Sequence, residues 1–283
     1  MTARKLPVRF VDVFSKEGLS GNPLAVVCDA EGLDAETMQK LTRWFNLSET
    51  TFLLPPTDPG ADYRVRIFTL GRELPFAGHP TLGTCTVFLE NGGVPKTPGK
   101  VVQECGAGLV DIRIEGEDLA FAAPPLLKSG PVEEALISRA CQYLGIARSE
   151  VIDAAWVDNG PGWFALMLKD AARVLEIDPK GAFDGQLDLG LVGAYPPGAE
   201  VDFEVRALFS GAGGAILEDP VTGSLNASLA QWLFSTGRAS GSYTAAQGTR
   251  LDRKGRVRLS QDATGQVWVG GASRVQGRGE LAL

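Results

Sequence analysis

The stretch VRIFTLGRELPFAGHPTLGT, residues 65–84, meets a counterpart 140 positions further on, VRALFSGAGGAILEDPVTGS, residues 205–224. Without a gap, Val65 falls on Val205, Arg66 on Arg206, Gly71 on Gly211, Pro80 on Pro220 and Gly83 on Gly223, with Thr84 on Ser224. Each copy passes from a β-branched and aromatic run, through a glycine turn, into a helical segment (80–93 and 220–237) that opens with proline and stops at glycine. A strand, turn and helix repeated at one offset, about half of the 283 residues, reads as an internal duplication. It predicts two similar lobes related by an approximate twofold, with the matching helices meeting near the axis and a ligand cleft between the lobes. The expected boundaries are 1–122 and 123–283, with the last strand, about 270–283, free to return to the first lobe. AAPPLLKSGP (122–131) is the expected linker, because its prolines cannot continue a central strand.

Outside the repeat, VRFVDVF (8–14), PLAVVC (23–28) and TTFLL (50–54) read as strands, as does YRVRIFTL (63–70) within it. DAETMQKLTRWF (34–45) spaces Met38, Leu41 and Phe45 along one helical face behind an Asp34 cap, and PVEEALISRACQYLG (131–145) is a further helix. Mostly strands with a few helices give an α+β class. Hydrophobic residues at 44% and charged residues at 22% are those of a folded globular chain. A net charge of −7, with Lys and Arg scattered, argues against nucleic acid as a partner. No apolar stretch approaches the roughly 20 residues that cross a bilayer, and the N-terminus lacks a signal-peptide pattern, so the expected location is the cytoplasm. Cys28, Cys85, Cys105 and Cys141 have no CxxC spacing and read as reduced, mostly buried small hydrophobes.

His79 is the single histidine, and on the 140-residue offset it falls on Asp219. Each precedes a proline that opens a helix, so each side chain is expected beside unpaired amides at a positive helix end. Two such ends suit a small anion, most simply a carboxylate substrate. Alone, Asp219 reads equally as a helix cap and His79 as a packed turn residue; their equivalence favours function. In NLSETTF (46–52), Ser48 and Glu49 sit between a helix and a strand. Glu49 is either solvated or a general acid/base, the latter requiring burial against neighbours such as Phe52 and Phe76.

DVF and GNPLAVV (12–14, 21–27), NLSETTF, RIFTLGRELPFAGHPTLGT (66–84) and EDPVTGS (218–224), in this order, resemble the PhzF-like family, named for phenazine biosynthesis. The resemblance covers nearly the whole chain. It implies a diaminopimelate-epimerase-like fold: two pseudosymmetric lobes, each a curved, mostly antiparallel sheet or barrel around a central helix, usually in a homodimer. The family's phenazine enzyme isomerises trans-2,3-dihydro-3-hydroxyanthranilate without cofactor or metal. By that resemblance Glu49 is the acid/base, and His79 and Asp219 orient and polarise the substrate. Gly78, Gly223 and Ser224 would line the site, with Ser48 beside Glu49 and Asn22 a weaker candidate for the same wall. Val221 and Leu225 stand where the family pattern more often has alanine, which predicts a differently shaped pocket.

Two other readings compete. An amino-acid epimerase or racemase on the same fold needs two thiols, one on each side of the stereocentre, and neither AGHP nor EDPV carries cysteine. A non-catalytic small-molecule binder could keep Glu49, His79 and Asp219 as ligand contacts. One histidine and scattered cysteines disfavour a metal site, and no phosphate-cradling motif occurs, SGAGGA (210–215) reading as a loop that closes over the ligand.

Overall fold

The computed structural model describes residues 4–179, 183–211 and 214–283. The chain divides into two units, Met1–Ala122 with Gly270–Leu283, and Ala123–Val269. The first unit contains β1 (Lys5–Val13), β2 (Asn22–Val27), α1 (Ala35–Phe45), β3 (Glu49–Leu54), β4 (Tyr63–Thr69), β5 (Glu73–Leu74), α2 (Gly78–Glu90), β6 (Lys100–Cys105), β7 (Gly108–Glu115) and β8 (Asp118–Ala122). The second contains β9 (Lys128–Pro131), α3 (Glu134–Leu144), β10 (Asp153–Asp158), β11 (Phe164–Met167), α4 (Ala171–Glu176), β12 (Asp188–Ala194), β13 (Phe203–Ser210), β14 (Ile216–Asp219), α5 (Gly223–Ser235), β15 (Ser242–Gln247) and β16 (Gly255–Gln261). β17 (Val267–Gly271) ends it, and the chain then supplies β18 (Ser273–Ala282) to the first unit.

The pairing pattern occurs twice. In the first unit β1 is antiparallel to β18 and β2, β2 is parallel to β3, and β3 is antiparallel to β4; β4 is antiparallel to β5 and parallel to β6, which pairs antiparallel with β7. In the second, β10 is antiparallel to β9 and β11, β11 is parallel to β12, and β12 is antiparallel to β13; β13 is antiparallel to β14 and parallel to β15, which pairs antiparallel with β16. Parallel pairs need crossovers, and these are α1 and α2 in one unit and α4 and α5 in the other.

The crossover helices differ in burial. α1 is amphipathic: Asp34 accepts from Thr37 N at 2.8 Å to start it, Asn46 in the left-handed region ends it, and Met38 and Leu41 pack into a cluster with Phe52 and Phe68. α2 and α5 are instead buried around most of their circumference, nine of thirteen residues in each, which makes them the central helices of their units. Both sit too close to strands to admit side chains everywhere. A Cβ on Gly83 of α2 would lie 2.6 Å from Leu24 of β2, and one on Gly190 of β12 would lie 2.6 Å from Leu225 of α5. The close approach is thus made by a helix glycine in one unit and a strand glycine in the other.

Two expectations change here. The linker 122–131 is not all linker, because its last residues form the exposed strand β9, with Pro131 at its end, where a missing N–H costs the ladder least. The ungapped offset also fails at the helices. β4 and β13 both start in the 140-residue register, but α2 and α5, each of thirteen residues, start at Gly78 and Gly223, 145 positions apart. A bidentate Arg66–Glu73 pair in one unit matches Arg206–Glu218 in the other, so the register changes between the arginine and the glutamate. The SGAGGA segment occupies that interval, and its Ala212 and Gly213 lie outside the described residues.

Candidate active site

In the first unit, three predicted residues come together. β3 begins at Glu49, β2 at Asn22, and His79 is the second residue of α2. His79 Nε2 lies 3.4 Å from Glu49 Oε2, and His79 Nδ1 lies 3.4 Å from Asn22 Nδ2. The Asn22 contact is a hydrogen bond at the long end of its range, and the Glu49 contact is a close approach of two buried polar atoms, not a hydrogen bond. His79 is only 5% exposed, and burial pushes its imidazole down to about 3, so the ring is neutral at physiological pH. The amide of Asn22 can only donate through Nδ2, which leaves Nδ1 as acceptor and puts the ring proton on Nε2, facing the Glu49 carboxylate. Asn22 is fully buried and acts on the imidazole, not as part of an open wall.

Glu49 is largely shielded, its side chain 17% exposed, but Phe52 is not what shields it. Strand residues alternate faces, so Glu49 shares its face with Thr51, whose hydroxyl is hydrogen-bonded to that of Thr84 of α2 at 2.8 Å, while Phe52 points the other way, edge-on to Phe68 against α1. Phe76 packs on Phe121. Phe52 therefore does not shield Glu49, which instead faces His79 at the mouth of α2. Ser48 is exposed in the turn ahead of β3. Gly78 opens α2, so its amide lacks an intrahelical acceptor.

In the second unit Asp219 ends β14, and Pro220 lies outside α5, whose N-cap is Thr222. Asp219 is therefore not the helix cap, and its helical equivalence to His79 does not hold; the residue at the second position of α5 is Ser224. Thr222 Oγ1 donates to Asp219 Oδ2 at 2.6 Å, and Gln247 binds the same turn. Ser224 Oγ accepts from Trp163 Nε1 at 3.1 Å, and Asn159 Nδ2 donates to the Ser224 carbonyl at 2.8 Å. Gly223 opens α5 as Gly78 opens α2. Val221 and Leu225 are fully buried and pack against Gly255 and Gly190.

Thr222, Gln247, Trp163 and Asn159 were not singled out in the sequence. The glutamine was findable: Gln103 of β6 donates to Thr81 of α2 at 3.0 Å as Gln247 receives from Asn226 of α5 at 2.7 Å, and both pairs appear only once the helices are aligned 145 positions apart. Cys85, deep in α2, is fully buried and its thiol is pushed up to about 12 by burial, so it stays protonated. Among the described residues, no three His, Cys, Asp or Glu side chains cluster as metal ligands, and no helix is long and apolar enough to cross a membrane.

The comparisons with known proteins agree with this architecture. The chain is 36% identical over 282 residues to antisense-enhancing sequence 1 of Schizosaccharomyces pombe, covering 93% of this chain and 94% of that one. It is 31% identical over 281 residues to trans-2,3-dihydro-3-hydroxyanthranilate isomerase of Pseudomonas chlororaphis, covering 96% and 98%. The crystal structure of a phenazine biosynthesis protein of the PhzF family from Enterococcus faecalis superposes with a TM-score of 0.80 at 26% identity, over 99% of this chain and all of the other. The family model described as phenazine biosynthesis-like protein matches residues 11–280, and the chain belongs to that family, PhzC-PhzF.

Proposed function

We propose that this protein is a cofactor-independent isomerase of a small carboxylic acid, in which Glu49 takes a proton from one carbon of the substrate and returns it to another. The observation that carries the reading is the buried contact of Glu49 Oε2 with the Nε2 of a neutral His79. A neutral imidazole held against the carboxylate leaves Glu49 as the base of the pair and does not compete for the substrate proton. One carboxylate reaches one face, so the proton is lifted and replaced on the same side, which is a tautomerisation and not an inversion of configuration. Asp219 is assigned as a polar group that orients substrate, and Ser224 and the amides of Gly78 and Gly223 as groups suited to a carboxylate. A thiol racemase gains no support, since the second residues of α2 and α5 are His79 and Ser224 and the Cys85 thiol stays protonated.

A relative of similar length is named for trans-2,3-dihydro-3-hydroxyanthranilate, which makes that compound the first probe. Incubated with it in deuterated water, the wild-type protein should isomerise it and incorporate deuterium. Glu49→Gln should slow both by about 10²–10⁴-fold while binding survives. Unchanged exchange in Glu49→Gln would remove Glu49 from the mechanism, and binding without exchange across a panel of cyclic and amino-bearing acids would favour a non-catalytic binder. The reading carries with it a homodimer in the cytoplasm, which light scattering and fractionation check.

A further inference from the structure

We infer that Gln247 and Thr222 are positioning residues for Asp219, forming a one-way hydrogen-bond chain that fixes its carboxylate as an acceptor before any ligand arrives. The inference rests on the isomerase reading for its kinetic consequence, though not for its geometry. Its direction is set by a group that cannot be reversed. The backbone N–H of Thr222 donates to Gln247 Oε1 at 3.0 Å, and Asn226 Nδ2 donates to the same oxygen at 2.7 Å. That identifies the carbonyl end of the amide, so Gln247 Nε2 must be the donor to the Asp219 carbonyl at 3.0 Å and to Thr222 Oγ1 at 2.9 Å. Thr222 Oγ1, already accepting a hydrogen, directs its own to Asp219 Oδ2 at 2.6 Å. Gln247 and Asn226 are fully buried and Thr222 nearly so, which excludes water as a competing partner along most of the chain.

The first unit shows that the clamp does not require the acid. Gln103, equally buried, accepts from Tyr63 at 2.9 Å and donates to Thr81 Oγ1 at 3.0 Å, and Thr81 passes its proton to the Ala77 carbonyl at 2.8 Å. Both glutamines tie the first turn of a central helix to the neighbouring strand. In the second unit alone the threonine hydroxyl ends on a carboxylate.

The test pairs kinetics with a measurement that needs no turnover. With trans-2,3-dihydro-3-hydroxyanthranilate as probe, Thr222→Val should lower kcat by about 10–100-fold, the worth of a hydrogen bond to a charged group, with KM changed less than about twofold. Thr222→Ser should restore kcat to within about threefold, and Gln247→Leu should fall with Thr222→Val. Independently, the side-chain amide of Gln247, assigned in nitrogen-15 NMR spectra by its loss in Gln247→Leu, should exchange slowly and should shift in Asp219→Asn. If the wild type leaves the probe unchanged while the amide shifts, the isomerase reading fails and the chain stands. An amide that does not respond to Asp219→Asn overturns the inference, as does a Thr222→Val protein with wild-type kcat, or a loss that Thr222→Ser fails to rescue.

Discussion

The two units repeat one strand order and part company at the mouths of their central helices. The second position of α2 is a buried imidazole facing Glu49, whereas the second position of α5 is a serine hydroxyl held by Trp163, with the acid, Asp219, displaced onto the preceding strand. The pairings that define the framework are shared, and the chemistry is not. A duplicated scaffold needs its strand register and helix length in both copies, because a slip of one residue would turn every core side chain outward. The loop feeding each helix carries no such constraint, and there the second copy is five residues longer, the difference between offsets of 140 and 145.

The largest expected contrast comes from the shared arginine–glutamate pair. Arg206 is 3% exposed beside Glu218 and also donates to the Val174 and Ile177 carbonyls, whereas Arg66 is 29% exposed beside a 40% exposed Glu73. Arg206→Ala should cost about 3–5 kcal/mol in urea unfolding, since it strands a buried carboxylate, and Arg66→Ala less than about 1 kcal/mol. Equal losses would mean that the two positions are not differently buried.

A smaller effect tests the glycines. Gly83→Ala and Gly190→Ala should each destabilise by about 1–3 kcal/mol through overpacking. Leu225→Ala should relieve Gly190→Ala and leave Gly83→Ala unaffected, because only Gly190 abuts Leu225.

The smallest effect is a pH dependence confined to the first unit's helix mouth. The imidazole is held near 3 when folded, below its unfolded value of 6.5, so the unfolded chain binds the proton first. The associated stability is complete above about pH 6.5 and is lost as pH falls towards 3. Between pH 8 and pH 6 the wild type should lose about 1 kcal/mol that His79→Gln does not. Parallel pH curves for the two proteins would show that the ring is not held neutral.

Much of this was readable from residues alone. The strands around the core, the capped α1 and the duplication follow from period, turn residues and a constant offset. The pairing of Glu49 with His79 was legible only through the family motifs, since nothing local in NLSETTF says which face of β3 the carboxylate takes. Phe52 is not its shield, because parity puts that ring on the α1 side. The equivalence of His79 and Asp219 was a register effect: two prolines and two glycines matched at 140 while the helices themselves match at 145. Gln247 becomes visible only in the 145-residue register, because its partners are 21 to 28 residues away in sequence, and its role depends on which end of an amide points at a backbone N–H.

Cys85 lends the molecule a property beyond its fold. A thiol that is fully enclosed and stays protonated offers no thiolate to peroxide or to alkylating reagents. Under the proposed mechanism proton transfer through Glu49 needs no thiol, so iodoacetamide or mild oxidant should leave turnover intact where a thiol-based epimerase would be silenced.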